Sequence, residues 1–124
     1  MAPLLYLAAF LLFALGIVHT VLGEKYILVR LFKRDNLPKL FGSTEFTVRT
    51  MRFAWHLTTV AWWGFAAMLV LMAHPPIVTQ QVGAVIGCTF MLHFLIALLG
   101  TRGRHLSWIV FLVVGFSAFY ATRF

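Results

Sequence analysis

The chain has 124 residues, of which 62% are hydrophobic and 10% charged, against about 25% charged in soluble domains. A soluble domain of this length has no core large enough to hide so much apolar surface, so the bilayer is the expected solvent. The formal charge of +7 comes from ten Lys and Arg against Asp35, Glu24 and Glu45. These charges fall between hydrophobic runs, which reads as membrane topology and argues against nucleic-acid binding.

The expected fold is a single all-α integral membrane domain over residues 1–124, a bundle of four transmembrane helices near residues 4–23, 44–74, 79–99 and 105–122. The first run carries no charge before Glu24, and twenty residues at 1.5 Å rise span about 30 Å, the hydrocarbon thickness. It lacks the basic n-region and cleavage site of a signal peptide, so a retained helix is expected.

From Glu24 to Arg34 apolar residues interleave with Lys25, Arg30, Lys33 and Arg34, as in a helical extension or a segment lying in the interface. Asp35-Asn36-Leu37-Pro38 breaks it. Ser43 or Thr44 is a plausible N-cap for the second helix, which turns apolar at Phe53 and ends at His74-Pro75-Pro76. Trp62 and Trp63 lie too deep for an interfacial belt and are expected to pack on neighbouring helices.

The third helix carries Gly83-x-x-x-Gly87, a spacing that admits another backbone, and Gly100 is its expected C-terminal cap. Thr101–Arg104 forms a turn, with Ser107 positioned to cap the last helix. The lone cysteine, Cys88, sits in an apolar run and permits no intramolecular disulfide.

Nine of the ten cations (all but Arg123) fall on the side reached after the first helix. The positive-inside rule makes that side cytoplasmic and both termini non-cytoplasmic, with the cytoplasmic (inner) membrane as the expected location. The same face suits anionic lipid headgroups.

The chemistry-bearing residues are the histidines. Alternating helix direction brings His19, His56, His93 and His105 to the basic side. His19 and His56 fall about 6 Å inside the boundary and His93 about 10 Å. Arg52, His56, Thr59 and Trp63 share one helical stripe, as do Gly16, His19, Thr20 and Gly23.

Imidazoles from several spans at one depth fit a b-type haem, or otherwise a transition metal. His19, His56 and His93 are the expected ligands, His105 a fourth candidate and Glu24 a metal ligand or partner. Arg49 and Arg52, with Arg102 and Arg104, stand where haem propionates would emerge. The expected function is therefore cofactor binding for electron transfer or haem handling.

Two alternatives stand beside it. One is a small oligomeric transporter or channel using the His/Arg cluster. The other is a non-catalytic subunit of a larger membrane complex, docking through Gly83 and Gly87 or through the aromatic second helix. No hydrolytic triad, phosphate loop or paired-carboxylate site is present.

Overall fold

The structure, a computed structural model, describes Met1–Phe124 and is all helical. There are four helices: α1 (Ala2–Leu31), α2 (Glu45–Met72), α3 (Thr79–Thr101) and α4 (Ser107–Arg123). The first three are long and apolar enough to cross a membrane, and α4 is apolar but shorter.

Each helix packs on its neighbour in the chain, α1 on α2, α2 on α3 and α3 on α4, with no extensive contact between other pairs. Side-chain registers run in opposite directions along each seam: Trp63 meets Phe13 and His56 meets Glu24, while Arg49 meets Gly100. Neighbouring helices are thus antiparallel, which gathers Arg49, Arg52, Arg102 and Arg104 at one basic end. Only 15 of 124 residues are buried, so most apolar side chains face outward, as a lipid-solvated chain requires.

Small residues set the seams. On α1, Ala9, Gly16 and Gly23 recur every seven residues and are all buried. A side chain at Gly16 would run into the Trp63 indole, and one at Gly23 into that of Trp55. Trp63 Nε1–H donates to the Phe13 carbonyl (3.1 Å) and Trp55 Nε1–H to that of His19 (2.9 Å). Large aromatics of α2 thereby fill the notches that small residues leave on α1.

The segment after Gly23 continues α1 as helix, but Gly23–Leu28 is wound as a π-helix. The wider turn shifts the helix phase by about one residue, because bonds run i→i+5. Leu28 takes the inward position at 2% exposure, while Ile27, which α-helical spacing would turn inward, is 48% exposed.

The glycine pair of α3 is used within the chain. Gly83 lies under Thr122 and Gly87 under Phe119, both on α4. The motif expected to admit a partner therefore seats the last helix.

Gly100 does not cap α3. The helix runs on to Thr101, and the chain reverses through left-handed Arg102 and Gly103. Gly100 is where α2 comes close: a methyl there would lie 3.2 Å from Phe53 Cβ. Ser107 likewise lies inside α4, and its hydroxyl donates to His105 Nδ1 (2.8 Å) instead of capping. At the start of α2, Ser43 Oγ accepts the Glu45 N–H (3.3 Å).

Candidate functional site

Glu24, one turn after Thr20 at the start of the π-helical segment, lies at the seam between α1 and α2, where it meets two residues of α2. Its carboxylate accepts from Arg52 Nη2 (3.0 Å) on one oxygen and from His56 Nε2 (3.0 Å) on the other. An ionised carboxylate only accepts, which fixes the His56 proton on Nε2 and leaves Nδ1 as an acceptor. Thr20 Oγ1, 3.2 Å away, fills that role. Thr59 Oγ1 closes the series, within hydrogen-bonding reach of Thr20 Oγ1 and of the Gly16 carbonyl (3.3 Å). Arg52, Glu24, His56, Thr20 and Thr59 form one polar ladder descending from the basic end.

The four expected histidines do not meet. His19 stacks flat on Trp55 (ring centroids 4.3 Å apart, 4° between planes), and its Nε2–H donates to the Trp55 carbonyl (3.2 Å). His93 is buried on α3 with its ring edge-on to Phe111 of α4, and its Nδ1–H donates to the Thr89 carbonyl (2.8 Å). His105 packs against Phe46 and Phe53. No group of three His, Cys, Asp or Glu side chains is placed to hold one metal ion.

Of the expected site residues, the structure brings together Glu24, His56 and Arg52. Arg49 stands one turn above, bonded to Glu45 (3.0 Å) and to the Gly100 carbonyl (3.0 Å). His74, expected as a helix-end residue, also has a partner: its Nδ1–H donates to Val70 O and its Nε2 accepts from Tyr6 O–H, both at 2.8 Å.

A cavity of about 430 Å³ opens beside the ladder between α2 and α3, lined by Glu45, Arg49, Arg52 and His56 with Val48, Phe53, Ile96 and Gly100. Glu45 stands two turns outside the apolar stretch of α2. The hydrogen bond from Arg49 holds its carboxyl below the usual carboxylate range, with Arg104 and Arg102 adding to the pull. Four guanidiniums against two carboxylates keep this mouth cationic. His56 is 24% and Arg52 44% exposed, so Arg52 is the more open of the two.

Arg49, Arg52, His56, Val60, Trp63, Ala67 and Val70 follow helical spacing along one face of α2. Val60 is buried, and Ala67 and Val70 below it are exposed. Two further cavities lie along this face, about 330 Å³ and 420 Å³, sharing Trp63 and Ala67. Ala84, Cys88, Leu92, Ile96 and Gly100 of α3 form one wall, and Tyr6, Phe10 and Phe13 of α1 the other. Arginine and histidine at the mouth give way to apolar and aromatic residues below.

His93 lines a separate cavity of about 180 Å³ with Met68, Phe65 and Phe90. Gly64, Val85 and Thr89 line both this cavity and that of about 330 Å³, which marks them as the ridge between two sides of the α2–α3 contact.

The stripe from Arg52 to Trp63 was readable as one face of a helix. Glu24 was expected beside the histidines as a ligand or partner, and it lies one turn after Thr20 on the same face of α1. Its pairing with Arg52 was not readable, because the rotation of α1 against α2 is not written in either pattern.

Fold and site together define an all-helical chain with membrane-spanning character, a polar ladder between its first two helices and a cationic cavity beside it. No protein-family model matches the chain, and no curated protein or solved structure matches it.

Proposed function

We propose that this protein binds an anionic amphiphile in the membrane, its charged head at Arg49, Arg52 and His56 and its apolar part along α2 below. The observation that carries the reading is the polarity of that face, which is cationic at the end facing water and apolar along the rest of α2. Arginine favours planar anions through paired N–H donors. By the positive-inside rule the mouth faces the cytoplasm, where anionic lipids gather cations.

Glu24 sits where a ligand's head would compete for Arg52 and His56. It acts as an internal substitute anion that pairs with Arg52 and orients the His56 ring while the site is empty. Native mass spectrometry of the protein released from nanodiscs holding phosphatidylglycerol and phosphatidylcholine tests the reading. Retention of the anionic lipid, reduced about tenfold by R52Q and increased by E24Q, supports it; indifference to both substitutions sinks it. Tenfold corresponds to about 1.4 kcal/mol, close to the lower end of what one charge-assisted hydrogen bond contributes.

The haem or metal reading has less support. His56 has both ring nitrogens engaged, and His19 lies stacked on Trp55, so the expected ligands do not converge on one ion. His93, like His19, keeps one ring N–H on a backbone carbonyl and the other ring nitrogen without a protein partner, the arrangement of a metal-binding imidazole. Its cavity of about 180 Å³ falls below the roughly 300–1,000 Å³ of ordinary ligand sites. A Soret band in protein from haem-replete cells, lost in H93A, would restore that reading.

A further inference from the structure

We infer that the cavity beside His93 takes a phenol ring, free or as the head of a lipid-soluble hydroquinone, with its hydroxyl donating to His93 Nε2. This site lies across the ridge of Gly64, Val85 and Thr89 from the cationic mouth and is independent of the amphiphile reading. His93 is 7% exposed. Its Nδ1–H donates to the Thr89 carbonyl (2.8 Å), so in the neutral ring Nε2 carries only a lone pair. Phe90 and Phe111 flank the imidazole, 5.1 Å and 5.3 Å between centroids, and hold that orientation. Nε2 itself has no partner in the protein. A buried acceptor without a donor is costly, and a ligand that brings the donor removes that cost.

The cavity itself limits what that ligand is. Its volume of about 180 Å³ is small for haem or a drug-sized molecule, but an apolar cavity of about 150 Å³ holds a benzene ring. The lining is apolar apart from His93 and Thr89, and the Thr89 hydroxyl already donates to the Val85 carbonyl (2.7 Å). Water, which needs about two to four polar partners, is poorly held there. Phe65, Phe90 and Met68 offer ring surfaces and a thioether, the neighbours an aromatic ring prefers. His93 lies about 10 Å inside the basic boundary, and Phe65 on the outer wall is 66% exposed, so a ligand arrives through lipid. A lipid-soluble ring with one hydroxyl meets all these conditions. An oxidised quinone carries acceptors only and would leave Nε2 bare, so the site selects the reduced form.

The test titrates the full chain in phosphatidylcholine nanodiscs, against empty nanodiscs, with para-hexylphenol and with its methyl ether. The phenol is expected to bind about tenfold more tightly, or about 1.4 kcal/mol for one hydrogen bond. It is also expected to shift the His93 Nε2 resonance in nitrogen NMR spectra of histidine-labelled protein. H93F keeps a ring but removes the acceptor, and is expected to equalise the two ligands. A61F fills the cavity from α2 and is expected to abolish binding of both. Decylhydroquinone binding above para-hexylphenol assigns the site to a hydroquinone head, and the reverse order assigns it to a free phenol. Equal affinity for phenol and ether, or a preference that survives H93F and A61F, overturns the inference. So does phenol binding that answers to R52Q instead of to H93F, which would place the ligand in the cationic mouth.

Discussion

Single residues carry both the polarity and the weak points of this molecule. Thr50 Oγ1 is buried with no hydrogen-bond partner. A buried hydroxyl without a partner costs about 1–3 kcal/mol, and valine has nearly its shape. T50V is therefore expected to raise the thermal midpoint in detergent, and a fall would show that Thr50 has a partner in the membrane. The opposite sign is expected at the far end of the first seam. Y6F removes the hydroxyl that donates to His74 Nε2 (2.8 Å), and its loss is expected to lower stability by about 0.5–1.5 kcal/mol. Tyr6 and His74 are 68 positions apart in sequence, and nothing in either local pattern announces the pair.

Helices are where sequence and structure agree best, and the exceptions share a cause. Hydropathy locates α2 and α3 because each must present about 20 apolar residues to lipid. It is silent on phase, since lipid solvates every face alike. The π-helical turn at Gly23–Leu28 changes that phase and decides that Leu28, not Ile27, turns inward. The histidines at similar depth were legible, but their rotations were not, and His93 turns toward Phe111 on α4. Gly100 shows a related ambiguity, because close helix packing and a helix end both select glycine. At the first seam the fit is steric: G16V or G23V would push a side chain into an indole. Either is expected to destabilise the protein by about 1–3 kcal/mol, the usual cost of overpacking, with loss of trypsin resistance as the readout.

At the scale of the whole molecule, the nine-to-one division of cations predicts orientation. Reporter fusions are expected to place both termini outside the cytoplasm and the Asp35–Pro38 loop inside it. A cytoplasmic amino terminus would invert the side from which an amphiphile's head reaches Arg52. The serial packing of the helices has a consequence for biogenesis. Because each helix rests on its immediate predecessor, none must wait for a distant segment to be synthesised, and every loop to be closed is short. The first hairpin already contains Glu24, His56 and both threonines, so its polar groups are satisfied before α3 leaves the ribosome. Membrane insertion can then proceed hairpin by hairpin, without holding an unpaired charge in the lipid.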